Sequence, residues 1–457
     1  MARLLHAQRP HLAILGVKFS KDLSSAESCC LVKNFTIRCF SSANNKVREV
    51  NVEKTPITSE LWKQRMEAQA SNSPDALDDQ SFLLDKKASD SRKEIKYIFD
   101  SNPDPKQRTL RDLYINNRGN IAMGKILEDM DALAGNIAFS HCDDNNPKTR
   151  PLSLVTASVE KIRLELQSEI AMGNIVLVGQ VGWVGKSSLD IVVEIHKAEK
   201  SAADGSNHTN SNIISLVDPN SKTRLLSSVF TYVARNKITG KSATVNKLNV
   251  TDAPAIEKSF FSEREETMKK RKSVSAAGAS AVSAESKVAL QALVDSGSAI
   301  LDMPALAHPN AVLMRSTTLE NSFICQPQHV NTAHKVFGGF LMRRAYDLAS
   351  ATSYTFAGKP AHLHEIDRIN FKHPVEIGDL VRLKSKIVYS NNDPIKPSVV
   401  CEVICQIVRP EKTSSSVSNT FNFTFGFSDQ VNPRRVLPSS MEEAESILKY
   451  SANFTSI

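Results

Sequence analysis

Apolar residues recur at helical spacing at Ile126, Leu127, Met130, Leu133 and Ala134, and predict a helix over residues 124–138. A second helix is predicted to begin after Gly339. Behind each helix the pattern changes to alternating or continuous apolar runs, which read as strands. In the first half these runs are 154–164, 175–183, 189–196, 225–235 and 243–248, and the last two flank a turn at 236–240. In the second half they are 362–371, 380–389, 399–408 and 419–427. Consecutive strands with short turns favour an antiparallel sheet, one face of which the helix must cover. The expected fold class is α+β rather than a doubly wound α/β sheet.

The two helix starts share a pattern. Asn116 precedes Gly124, and Asn331 precedes Gly339, at the same spacing and with an offset of 215 residues (331 minus 116, 339 minus 124). A loop asparagine, a glycine that admits a ligand to backbone N–H groups, and a helix N-terminus together suit developing negative charge. A repeated site implies a repeated domain. The expected organisation is a first domain over 106–250 and a second over 308–430. Between them, 251–307 reads as a helical linker, with a solvated charge run at 263–272. Residues 431–457 read as a tail with a short helix. Residues 41–105 read as a poorly ordered extension, with one short helix at 59–66 capped by Ser59 and a loop at 71–80. A low-complexity insertion occupies 200–212.

Composition narrows the class. The chain has 457 residues, 41% hydrophobic and 23% charged, room for two or three soluble domains. The net charge of +8 suggests nucleic acid at first sight, but residues 1–40 hold six Lys/Arg (Arg3, Arg9, Lys18, Lys21, Lys33, Arg38) against two acidic residues. The remaining excess forms no basic stripe with interleaved aromatics, so no nucleic-acid partner is expected. Basic, serine-bearing and poor in acids, residues 1–40 read as a mitochondrial transit peptide, with Arg38 placed for cleavage after Phe40. Seven cysteines without regular spacing read as reduced thiols, and no metal site is expected. The apolar run 174–185 is too short to span a bilayer.

Motifs sharpen the reading. The run from Asn331 through Val336-Phe-Gly-Gly-Phe-Leu-Met-Arg-Arg-Ala-Tyr-Asp347, then Ile366-Asp-Arg-Ile-Asn-Phe371 and Pro374-Val-Glu-Ile-Gly-Asp379, resembles an acyl-coenzyme A thioesterase hotdog domain. In the first copy, the run from Gly182 to Ile191 resembles the same family's third-strand signature. The runs from Gly124 to Asp131 and from Met314 to Asn321 resemble the mitochondrial acyl-CoA thioesterase 9 type. The resemblance implies tandem hotdog domains forming a pseudo-dimer within one chain, each a long helix wrapped by a curved antiparallel sheet. It implies hydrolysis of fatty acyl-CoA to free acid and CoA by carboxylate-activated water, with no cofactor beyond the CoA of the substrate. It also implies a homo-oligomer of double-hotdog chains and a mitochondrial matrix location.

The resemblance places the helix acid seven residues after the helix-opening glycine. That position is Asp131 in the first copy and Tyr346 in the second, where Asp347 is displaced by one. The second copy has the pair Gly338-Gly339, the first Met123-Gly124. Asn331, Gly338 and Gly339 with Asp131 therefore compose one complete site, and Asn116 and Gly124 with Asp347 a degenerate one. Asp131 is the expected general base, Asn331 positions water or thioester, and the Gly339 N–H is the expected oxyanion donor. Candidates for CoA contact are Arg343, Arg368, Ser187 and Ser188; solvated charge, or a strand-end turn for the serines, explains each equally well. A catalytically decayed acyl-CoA-binding or regulatory protein is the alternative.

Overall fold

A computed structural model describes residues 37–39, 48–50, 54–70, 83–99, 105–146, 148–165, 168–198, 216, 218, 221–277, 284–331, 335–393, 396–427 and 431–454. The transit-peptide reading falls on residues 1–40, almost all outside these, as do the loop at 71–80 and the insertion at 200–212.

One sheet of twelve strands runs through the molecule: β1 (Lys93–Tyr97), β2 (Ser153–Val159), β3 (Ile162–Leu164), β4 (Ile175–Val184), β5 (Ser188–Lys197), β6 (Arg224–Arg235), β7 (Leu319–Ile324), β8 (His362–Ile366), β9 (Ile369–Asn370), β10 (Leu380–Asn391), β11 (Ser398–Arg409) and β12 (Ser414–Gly426). The spatial order is β7-β10-β11-β12-β8-β3-β6-β5-β4-β1, with β2 paired to β6 and to β9. Every pairing within it is antiparallel. The two halves join at β3–β8, where Ile162 faces Ile366, and at β2–β9, where Val159 faces Ile369.

Six longer helices accompany the sheet: α1 (Pro56–Ala70), α2 (Met123–Cys142), α3 (Ala255–Ala277), α4 (Ala284–Asp302), α5 (Gly338–Ala357) and α6 (Met441–Phe454). The two predicted helices are α2 and α5. Helix α2 packs against β4, β5, α5 and α1 at once. Its residues are buried around the whole circumference, including Glu128, Asp129, Asp131, Asn136 and His141.

The covering of α2 corrects the expectation for residues 41–105. Helix α1 and strand β1 belong to the core: Leu61, Trp62, Tyr97 and Phe99 are buried in the same cluster as α2. The polar side of α2, which periodicity assigns to solvent, is instead sealed by α1. The cap of α1 is Thr55 rather than Ser59. Thr55 Oγ1 accepts the Thr58 N–H at 3.1 Å, and Pro56 occupies the first helical position, where a missing N–H costs nothing.

Other departures are local. The run 154–164 splits into β2 and β3 around Glu160, and 362–371 splits into β8 and β9 around Asp367. The bend lets one segment pair on both flanks. The run 243–248 reduces to Lys247–Leu248, which pairs parallel with Asp85–Lys86. Strand β7 has no apolar alternation because it is an edge strand, largely exposed. The charge run in α3 is not simply solvated. Arg264 is buried and binds Asp190 at 2.6 Å, and Arg271 grips both oxygens of Glu160. Phe260 lies 2.7 Å from where a Cβ on Gly182 would be, so that glycine lets α3 dock on β4.

Candidate active site

The start of each central helix lies against the other helix two turns in. Glu128 and Arg343, which occupy equivalent positions at the 215-residue offset, form an ion pair at 2.8 Å. Glu128 is fully buried, and burial, partly offset by Arg343, raises its carboxyl above the usual range. On one side of this pair Gly338 and Gly339 meet Asp131. On the other side Gly124 meets Tyr346 and Asp347.

Asp131 is buried and fully engaged. Its Oδ2 accepts the Gly339 N–H at 2.6 Å; its Oδ1 accepts the Tyr232 hydroxyl at 2.7 Å and the Thr156 hydroxyl at 3.1 Å. Burial raises its proton affinity, and the bonds from Tyr232, Thr156 and Gly339, together with the charge of Arg65, pull it partly back. The result is a carboxylate more basic than usual. The glycine pair is required by proximity. A Cβ on Gly338 would lie 3.0 Å from Asp131 Oδ2, and one on Gly339 would lie 3.0 Å from the Glu128 carbonyl oxygen and 2.8 Å from the Phe337 ring.

The two asparagines occupy matching loops. Asn116 Oδ1 accepts the Asn120 N–H at 3.0 Å, and Asn331 Oδ1 accepts the Lys335 N–H at 3.2 Å. The loop mouths close with equivalent bridges, Ile115 to Ile121 and Val330 to Val336. Each asparagine thus shapes the loop ahead of its helix. Helix α1 braces the second loop: Lys54 Nζ donates to the Val330 carbonyl at 3.2 Å and sits over the Trp62 ring, whose edge meets Phe337.

The other side is different. A Cβ on Gly124 would lie 3.0 Å from the Tyr346 ring and 3.1 Å from Asp347 Oδ1. Tyr346, at the position equivalent to Asp131, packs against Phe423 and Phe425. Asp347 is exposed, with Arg343, Arg344 and Lys125 nearby. The remaining candidates are dispersed. Arg343 is committed to Glu128. Arg368 is exposed and reaches Ser158 Oγ at 3.4 Å beside the Glu160–Arg271 pair. Ser187 lies in the β4–β5 turn and Ser188 opens β5; their carbonyls accept the N–H groups of Ala234 and Gly185, respectively.

Sequence reasoning missed Thr156 and Tyr232, which hold Asp131, and a second buried carboxylate, Asp129. Hydroxyls of Thr55, Thr58 (2.8 Å), Tyr97 (2.9 Å) and Tyr114 all donate to Asp129, and burial pushes its carboxyl up to about 6. Among the described residues no group of three or more His, Cys, Asp or Glu could hold a metal ion, and no helix is long and apolar enough to cross a membrane.

A basic carboxylate facing a glycine-lined helix start is equipment suited to activating water beside a polarised carbonyl. The chain belongs to the acyl-coenzyme A thioesterases. It is 39% identical to mitochondrial acyl-coenzyme A thioesterase 4 of Humulus lupulus over 404 residues, covering 86% of this chain and 72% of that one. It is 39% identical to the chloroplastic acyl-coenzyme A thioesterase 2 of the same plant over 407 residues, covering 86% and 88%. Against mitochondrial acyl-coenzyme A thioesterase 9 of Homo sapiens it is 30% identical over 358 residues, covering 76% and 74%. Among solved structures it resembles an acyl-CoA hydrolase from Staphylococcus aureus in complex with butyryl coenzyme A, coenzyme A and coenzyme A disulfide, at 20% identity and TM-score 0.29, covering 32% of this chain and 89% of that one. No family model matches the chain.

Proposed function

We propose that the chain hydrolyses acyl-CoA to free acid and CoA at one site divided between its two halves. Those halves, 106–250 and 308–430, are read as tandem hotdog domains paired as a pseudo-dimer. The ion pair between equivalent residues Glu128 and Arg343 supports that reading, since equivalent positions meet on a two-fold axis. The bond from the Gly339 N–H to Asp131 Oδ2, which crosses from one half to the other, carries the proposal.

The chemistry follows from that geometry. The first-turn N–H groups of α5 have no intrahelical partners. An entering thioester carbonyl takes over the Gly339 N–H and is polarised by it. That releases Asp131 Oδ2 to accept a proton from water, whose oxygen attacks the carbonyl carbon. Tyr232 and Thr156 keep the carboxylate oriented through Oδ1. The tetrahedral oxyanion collapses and breaks the C–S bond, and the proton on Asp131 leaves with the thiolate or to solvent. An ordinary thiol has a pKa of about 8.5, so the leaving group needs no strong acid. Asn331 contributes by holding the loop ahead of α5, and Arg368, Ser187 and Ser188 remain the candidates for CoA contact, Arg343 being held by Glu128. The basic N-terminus, with relatives named mitochondrial, supports the mitochondrion, and the matrix is the proposed site. Association of several chains is part of the same proposal.

Purified protein given acyl-CoA substrates from short to long should release thiol and free acid in equal amounts. Tight binding of every substrate with no thiol release would instead mark an acyl-CoA-binding protein.

A further inference from the structure

Arg65 is a buried cation that the mechanism above does not use. It projects from α1 and is only 7% exposed, and its Nε finds no hydrogen-bond partner among the described residues. A buried guanidinium is costly to hold in the fold, and here the charges of Tyr232 and Asp131 favour it. Its surroundings identify that group. Gly135 lies one turn beyond Asp131 on α2, and a Cβ there would be 3.0 Å from Arg65 Nη1 and 3.1 Å from the Tyr232 hydroxyl. The space that a side chain at 135 would fill is bordered by both the guanidinium and the Tyr232 hydroxyl, which donates to Asp131. The ring of Phe139, one turn further along α2, lies 5.6 Å from the guanidinium carbon and fixes it over this face.

We propose that Arg65 is a positioning residue for the Asp131 base, a cation delivered by the N-terminal helix that keeps the Tyr232–Asp131 pair aligned and its carboxylate ionised. The proposal rests on Asp131 being the base. Among the described residues, the charged and titratable groups that bear most on Asp131 are Tyr232 from β6 and Arg65 from α1; β2 offers the neutral Thr156, and α5 a backbone N–H. Lys93 on β1 faces Arg65 in turn. The influence is mutual. Burial lowers the proton affinity of Arg65, with Tyr232 and Asp131 raising it again, and Arg65 lowers that of Asp131.

The test is the pH dependence of kcat and KM for acyl-CoA hydrolysis in Arg65→Met, Arg65→Lys and Asp131→Asn. Removing the cation should move the acid limb of kcat upward by about one pH unit, so that kcat on that limb falls roughly tenfold while KM stays within about twofold. Arg65→Lys should return the limb toward its wild-type position. A folded Arg65→Met with an unmoved limb overturns the proposal, as does Arg65→Lys displaced as far as Arg65→Met. If Arg65→Met does not fold, Arg65→Gln carries the same expectation, and Arg65→Lys decides alone if neither folds. An active Asp131→Asn would sink the base assignment itself. An inactive Asp131→Asn with an unmoved limb in Arg65→Met would sink only the role of Arg65.

Discussion

Asp129→Asn is expected to make the protein more sensitive to acid, although it removes an acidic group. Two buried residues of α2 set opposite pH dependences. Burial, opposed by four hydroxyl donors, raises Asp129 from an ordinary 3.8 to about 6. The fold therefore binds this proton before the unfolded chain does, and acidification through that interval favours folding. At about 1.4 kcal/mol per pKa unit, the gain is ~3 kcal/mol. Burial lowers His141 from 6.5 to about 4. Here the unfolded chain binds the proton first, so acidification through that interval disfavours folding by ~3 kcal/mol. The two effects nearly cancel between about pH 4 and 6.5. Asp129→Asn removes one and exposes the other. Urea denaturation of wild type and variant at a series of pH values reads the difference. The variant should lose ~3 kcal/mol more than wild type between about pH 6.5 and 4. Placing an amide among four hydroxyls adds a constant penalty, which drops out because the slope is compared. Profiles parallel within ~1 kcal/mol would refute the reasoning.

Gly339→Ala should lower kcat at least tenfold and destabilise by ~1–3 kcal/mol, because the new Cβ meets the Glu128 backbone oxygen at 3.0 Å and neither helix can give way freely. Steady-state kinetics with thermal melts check this, and unchanged values for both would contradict the close approach. Arg343→Met should destabilise by ~3 kcal/mol or more by leaving the buried Glu128 unpaired, and Glu128→Met in the same chain should restore most of the loss. A double variant no more stable than Arg343→Met alone would show that the pair does not act as a unit.

The helix starts were legible because their signal is local. Glycine, apolar spacing and the preceding asparagine fall within a few turns of sequence, and the long strands announce themselves by alternation. The cover over α2 was not. Asp129 gathers Thr55, Thr58, Tyr97 and Tyr114 from three separated segments, and no spacing rule joins them. One available signal was passed over: Thr55 followed by Pro56 is a helix start, and it moves α1 four residues toward the N-terminus of the expected Ser59 cap. The partners of Asp131 were hidden for a related reason. Tyr232 and Thr156 are polar groups facing inward on strands, and only the fold shows which carboxylate they meet. Arg264 and Arg271 read as part of a solvated charge run until α3 is laid against the acids of the sheet.

The central claim is that one complete site is divided between the halves and that its partner is degenerate. The most direct measurement compares kcat for acyl-CoA hydrolysis in Asp131→Asn and Asp347→Asn, with Asn331→Ala and Asn116→Ala as the loop counterparts. Asp131→Asn should lose a factor of about 10²–10⁴, the usual contribution of a general base, and Asn331→Ala should fall strongly as well. Asp347→Asn and Asn116→Ala should stay within about twofold of wild type. Losses of equal size in all four would show two working sites and contradict the division.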